Sequence, residues 1–184
     1  MGRVYESIDA RLAAFIGGQQ VFFVATAPLG GEGHVNLSPK GLESFAILDP
    51  LTVAYLDLVG SGVETIAHLR ENGRITLMFC AFDGPPKILR LHGRGEVLEP
   101  GAAGFDELAA RFPVRRATRS IVRVALMRLA DSCGYGVPLY HYEGQRTQLE
   151  AWADRKGDDG IRRYQLEHNR ESLDGLPGLR AENL

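Results

Sequence analysis

The sequence predicts a small antiparallel β-barrel with helices attached, and three observations carry that reading. Short runs rich in β-branched and aromatic residues recur along the chain, each closed by turn residues. The longest run contains Gly93 and Gly95, where a barrel strand would bulge or bend. The element order is helix, strands, one helix between strands, more strands, then terminal helices, which is not the regular alternation of a doubly wound sheet.

Ser7 ahead of Ile8, Leu12, Phe15 and Ile16 supplies an N-cap and an apolar stripe at helical spacing, and Gly17-Gly18 ends that helix. QQVFFVATA, residues 19–27, is the first strand, and PLGGEG is turn chemistry. HVNLS is a second strand leading into Pro39-Lys40-Gly41. LTVAYLDL, from Leu51 to Leu58, is a third, with Pro50 at its start, where a missing N–H does least harm. Ser61 and Glu64 have capping-box spacing, so a helix is expected from about Val63 to Glu71, stopped by Asn72-Gly73. RITLMFCAF is a fourth strand, DGPP a turn, and KILRLHGRGEVLE a long, alternating fifth. GAAGFDELAARF reads as a short helix. SIVRVALMRLAD fits either a helix or a strand, and its β-branched start and the placement of Arg123 and Arg128 favour a sixth strand. From Gly144 the chain is charged and helical in pattern, and ESLDGLPGL is expected as an extended tail. No repeat or linker divides the chain, so one domain over 1–184 is expected, with the barrel at about 19–138 and a helical extension at about 144–184.

The formal net charge of −2 provides no global basic field, so neither nucleic acid nor an anionic membrane is an expected partner. No apolar run is long enough for a membrane span, and MGRVYESIDARLAAF carries acids and lacks a signal-peptide cleavage pattern. Cys80 and Cys133 stand far apart outside any CxxC, which favours reduced thiols in a cytoplasm over a single disulfide. The five histidines are scattered and form no HExxH, so no metal site is expected; no GxSxG is present.

The most informative segment runs from Leu51 to Glu71: strand, Gly60-Ser61-Gly62, then helix. A helix start offers unpaired N–H groups and a positive dipole end, and small residues let an anion approach. Phosphate binding and an ordinary capped helix start both remain open on this segment alone. Lys40, at a strand end between Pro39 and Gly41, suits a phosphate or an electron-rich ring, or a plain solvated loop. On the fifth strand Arg94 reads as solvent-facing, whereas Lys87 and Arg90 are divided between solvent and a charged groove. Cys133 lies in a glycine-rich loop, and Trp152 on a predicted helix reads as packing.

Three strings in this order, VNLSPKG, LTVAYLDLVGSGVETIAHLRENGRITLMF and PPKILRLHGRGEV, resemble the FMN-binding split-barrel proteins related to pyridoxamine 5′-phosphate oxidase. DSCGYGVP and NRESLDGLPG look like the mark of a subset within that group. The resemblance covers about Gln20 to Pro138. It implies a six-stranded Greek-key split barrel, a homodimer with FMN in a cleft between subunits, and a small-molecule substrate or electron donor. It further implies that Asn36, Leu37, Ser38, Pro39, Lys40 and Gly41 run along the flavin ring and that Tyr55, Leu56 and Asp57 flank it. Ser61, Gly62, Glu64 and Thr65 would face the phosphate. The oxidases place an Arg-Lys pair after the serine matching Ser61; here those positions are Gly62 and Val63, with Lys87 and Arg90 the candidates to supply the charge. The oxidases' C-terminal tryptophan and arginine segment has no counterpart in the tail. An FMN-dependent oxidoreductase of unassigned substrate is therefore expected. The alternatives are a flavin-binding sensor that turns nothing over, or a haem- or deazaflavin-binding relative on the same barrel.

Overall fold

A computed structural model describes residues 2–113 and 115–180. All six expected strands form, and two more join them. In chain order the strands are β1 (Val4–Tyr5), β2 (Phe22–Thr26), β3 (Asn36–Lys40), β4 (Phe45–Asp49), β5 (Thr52–Leu58), β6 (Arg74–Cys80), β7 (Ile88–Leu98) and β8 (Thr118–Ser132). The helices are α1 (Ala10–Gly17), α2 (Glu64–Asn72), α3 (Phe105–Ala109) and α4 (Gln148–His168). Val4–Tyr5 and Phe45–Asp49 are the strands the sequence did not mark.

Every pairing is antiparallel, and the strands follow the path β3-β2-β6-β7-β8-β5-β4, with β1 on β8. The two ends of that path, β3 and β4, are joined by the short turn 41–44. The sheet must therefore curl until its edges approach, which makes a barrel that stays split between them. Pro39 lies within β3 opposite Phe23, a position an edge strand tolerates because no third strand needs its N–H.

Alternation fills the interior. Phe22 and Val24 of β2, Leu77 and Phe79 of β6, Leu89 and Leu91 of β7, and Val122 and Val124 of β8 form one core with Leu12 and Ile16 of α1. Phe22, Phe45, Tyr55 and Phe79 meet through ring contacts with centroids 5.1–5.6 Å apart, mostly edge-on. A second cluster on the other face of β5 gathers Ala54, Leu56, Ile121 and Phe112.

Gly93 stands at a bulge, but the extra residue is on the facing strand β8, and Gly95 marks no bend: it pairs regularly with Val124 and leaves room for Leu69 of α2. The β7–β8 register shifts between His92 and Gly93, where β8 carries one extra residue, Met127. A Cβ on Gly93 would meet Val124 Cγ1 at 2.8 Å and press harder still on the carbonyl oxygen of Ala125. Gly93→Ala is expected to destabilise the protein by about 1–3 kcal/mol, read as a lower urea midpoint at unchanged m-value. An unchanged midpoint would contradict this close approach of β7 and β8.

Three local expectations need correction. Asp9, not Ser7, caps α1: its Oδ1 accepts from the Leu12 N–H at 2.8 Å. The capping box at α2 does not form, and Val63 occupies the N-cap position without a side-chain bond. Val63 is instead buried against Ile66 and Leu179. The tail is not simply extended: it folds back through a Glu171–Pro177 bridge, and Asn169 Nδ2 donates to the carbonyl of Gly60 at 2.9 Å. The charged stretch after Gly144 does become helical from Gln148, with a kink at Gly157, whose φ is 64°.

Candidate functional site

At the split, side chains of the edge strand β3 face others from β5 and α2. On β3, Asn36, Ser38 and Lys40 alternate onto one face, while Leu37 and Pro39 point outward. Opposite them stand Asp57 near the end of β5 and Thr65 in the first turn of α2. Asn36 Nδ2 donates to Thr65 Oγ1 at 2.9 Å and to Thr26 Oγ1 at 3.1 Å, and Ser38 Oγ donates to Asn36 Oδ1 at 2.8 Å. Thr26 Oγ1 lies 3.0 Å from His68 Nδ1, an arrangement satisfied with the ring hydrogen on Nε2. His68 Nε2 is buried and has no partner among the described residues. Burial pushes that imidazole below its ordinary value, with Asp174, Glu64 and Glu71 opposing the shift. The split thus holds a continuous polar row ending in an unsatisfied buried nitrogen, where an apolar barrel rim would have been simpler.

At the other end of the row, Asp57 is fully buried and paired twice. Arg119 Nε reaches Oδ2 at 2.7 Å, Lys40 Nζ reaches Oδ1 at 3.0 Å, and Ser120 Oγ lies 3.3 Å from Oδ2. Burial by itself pushes this carboxyl up. The Arg119 guanidinium and the Lys40 ammonium outweigh it and hold the group well below the usual carboxylate range. Arg119 also donates to the carbonyl of Gly62 at 2.8 Å, so one guanidinium ties β8 both to β5 and to the turn before α2. Sequence reasoning did not single out Arg119. Its one signal was Asp57 itself, a carboxylate inside an apolar strand that needs a cation.

The start of α2 carries unpaired donors, although Val63, Thr65 and Ile66 are themselves buried. The backbone N–H groups of Glu64, Thr65 and Ile66 have no acceptor among the described residues, and the first helical bond is made by Ala67. Ser61 is exposed beside them. The Glu64 carboxylate leans back over Gly62, and its Oε1 accepts from the Leu173 N–H at 3.3 Å. Asp174 in the same tail takes His34 at 2.6 Å and pins the approach to β3.

The other expected residues divide. Tyr55 packs into the main core, where its hydroxyl is buried without a partner among the described residues, and Leu56 faces the second cluster. Gly41 ends the row against Gln145, which bonds the turn 41–44 in which Leu42 and Glu43 both hold positive φ. Lys87 and Arg90 are not brought to the α2 start. Lys87 lies 3.7 Å from Asp131 and over the Phe15 ring, and Arg90 donates to Ser132. They sit at the first end of β7, whereas Leu98 at its last end pairs with Ile121, the neighbour of Leu56. Ten residues of strand, roughly 33 Å, separate the two ends.

A split antiparallel barrel with a row of polar side chains beside a helix start that no side chain caps is the class that this fold and site define. Residues 8–133 match the family described as pyridoxamine 5′-phosphate oxidase, and the chain belongs to that family. The pyridoxamine 5′-phosphate oxidase family protein ustO of Aspergillus flavus is 40% identical over 194 residues, spanning 96% of this chain and 78% of that one. Among solved structures, a histidine-to-alanine variant of Group A Streptococcus HupZ superposes with a TM-score of 0.53 at 22% identity, covering 68% of this chain and 99% of that one. A candidate pyridoxamine 5′-phosphate oxidase from Lactobacillus delbrueckii gives 0.52 at 16% identity, covering 68% and 94%. These two likenesses speak to the fold alone. Among the described residues, no helix is long and apolar enough to cross a membrane.

Proposed function

We propose that the chain is an FMN-dependent oxidoreductase, a single split-barrel unit that holds the flavin between β3 and the β5–α2 turn and pairs with a second copy to close the cleft. The observation that carries this reading is the set of acceptor-less N–H groups at Glu64, Thr65 and Ile66, set beside the polar row from Asn36 to Lys40. Such a helix start suits a phosphate, and the orphaned His68 Nε2 marks a row built to meet a further polar group. Family membership supports the redox class.

Bound flavin would supply hydride or electron transfer; the chain's part is anchorage, orientation and charge. Ser61 and the first turn of α2 would take the phosphate. Asn36 and Ser38 would orient polar edges of the cofactor. Lys40, held by Asp57, would place a fixed positive charge beside the ring, where negative charge develops on reduction. Glu64 opposes phosphate binding, and the positions of an Arg-Lys pair are Gly62 and the buried Val63. This substitution is why the family's founding reaction is not part of the proposal.

Two observations support a second copy. Lys87 and Arg90 lie too far along β7 to serve their own cleft. The segment after β8 also exposes Tyr135, Leu139, Tyr140 and Tyr142 together, apolar surface suited to an interface. The free thiols of Cys80 and Cys133, the latter exposed, fit a reducing cytoplasm.

The test is anaerobic reduction. The purified chain loaded with FMN is expected to bleach with NADH or NADPH and recover its colour in air. Flavin that neither nucleotide reduces would favour a binding module, and a Soret band or selective uptake of deazaflavin would overturn FMN.

A further inference from the structure

We propose that the outward face of β6, β7 and β8 is a second ligand site, one that takes a small molecule combining an apolar body with an anionic carboxylate or phosphate group. Its charged residues lie on the face of the sheet away from the core, and its lining touches the polar row of the cleft at Thr26, but its case does not rest on the flavin reading.

A concavity of about 550 Å³ opens on this face, within the range of small-molecule sites. Arg74, His92, Arg94 and Arg128 line it, and no carboxylate does. The register puts Arg74 directly opposite Arg94, and His92 directly opposite Arg128. Arg74 and Arg94 are like charges placed opposite one another, which destabilises a sheet, so packing gives no reason for that pair; His92 is a neutral ring at this position, 3.0 Å from Thr76 Oγ1.

Among the described residues, none of the guanidinium groups of Arg74, Arg94 and Arg128 is paired with a carboxylate. Arg74 donates to the carbonyl of Pro28 at 3.0 Å and to Asn72 Oδ1 at 3.2 Å, and Arg94 donates to the carbonyl of Asn72. These acceptors are neutral, and each guanidinium has five N–H groups, so donor capacity and charge both remain. The Arg128 side chain is exposed and makes no hydrogen bond or ion pair among the described residues. The imidazole of His92 registers the field: burial lowers its basicity first, then Arg128 and Arg90 lower it further.

The apolar half of the site comes from the same local geometry. The floor includes Ala25, Ala27 and Gly93, and the rim carries Val35 and Met127, exposed by 74% and 72%. Met127 stands on this rim because it is the extra residue of the β8 bulge, and bulges recur beside binding sites, where they re-aim a side chain. A cationic wall facing an apolar floor selects a ligand with both characters, such as an aryl phosphate or an aromatic carboxylate.

The experiment is a calorimetric titration of the full, FMN-loaded chain with phenyl phosphate, inorganic phosphate and phenol. Phenyl phosphate is expected to bind, inorganic phosphate more weakly, and phenol not at all. Arg128→Gln should weaken phenyl phosphate by about tenfold, the loss of one charge-assisted hydrogen bond, with melting temperature and flavin content unchanged. Arg128→Lys should fall between the two. Absence of phenyl phosphate binding, or equal affinity in wild type and Arg128→Gln, overturns the site. Displacement of flavin in step with phenyl phosphate binding assigns the anion to the flavin cleft and also overturns it. A changed sedimentation coefficient for Arg128→Gln, in place of weaker binding, would make the face an interface between copies and overturn it as well.

Discussion

Arg119→Met is expected to lower folding stability by about 3–5 kcal/mol, the largest effect of any single side chain in the cleft. Asp57 has no exposed surface and the Arg119 side chain is 4% exposed, so removing the guanidinium leaves a buried carboxylate with Lys40 as its remaining cation. The same change frees the carbonyl of Gly62 and loosens the turn before α2. The double variant Asp57→Leu with Arg119→Met should recover much of the loss, because it removes the desolvated charge together with its partner. Urea unfolding of the two singles and the double measures this; a single-variant loss under 1 kcal/mol would mean that the pair does not hold the split. The pH dependence has a fixed sign. The folded carboxyl lies below its unfolded value of about 3.9, so its contribution is complete above that value and is lost as pH falls from it toward the depressed one. In Arg119→Met the acid loss should begin at higher pH, since the main opposing charge is gone.

Ser61→Asp is expected to raise the FMN dissociation constant about thirtyfold, a penalty of about 2 kcal/mol for like charge beside the phosphate. Ser61 is exposed and makes no hydrogen bond among the described residues, so the fold should be untouched. Glu64→Gln should act in the opposite direction, tightening FMN by about two- to fivefold, because it removes a carboxylate from the first turn. That variant should also lose a few tenths of a kcal/mol of stability, since Glu64 favours the positive end of α2. Opposite shifts from neighbouring residues are hard to produce unless an anion sits at this helix start. Fluorescence titration of the apoprotein with FMN reads both, and two shifts of the same sign would refute the placement.

Much of the barrel was legible because its strands alternate and its turns carry Gly, Pro and Asp. Phe45–Asp49 escaped because five residues following the turn 41–44 show no alternation, with four of them half-buried in sequence. Val4–Tyr5 is too short to carry any pattern. The helix caps were misjudged by a few residues: Ser7 and Asp9 are both able caps, and only the phase of Leu12 and Ile16 against the core selects Asp9. At α2 the spacing of Ser61 and Glu64 was right for a capping box. Tertiary contacts decided otherwise, since Val63 is drawn under Leu179, and Glu64 is bonded by Leu173 of the returning tail. Such contacts span more than a hundred residues and leave no local trace. The cleft shows the same division: Asn36, Ser38, Lys40, Asp57 and Thr65 were marked by resemblance, whereas Arg119 and His68 gain their roles only from burial and long-range pairing.

The central claim is that the split beside α2 holds FMN. The most direct measurement is the absorbance spectrum and flavin content of the wild-type chain after incubation with FMN and removal of the excess, with Ser61→Asp handled in parallel. About one flavin per protomer in the wild type, with a shifted visible band, and little in a correctly folded Ser61→Asp is the expected result. A colourless wild type, or stoichiometric flavin retained by Ser61→Asp, would contradict the account.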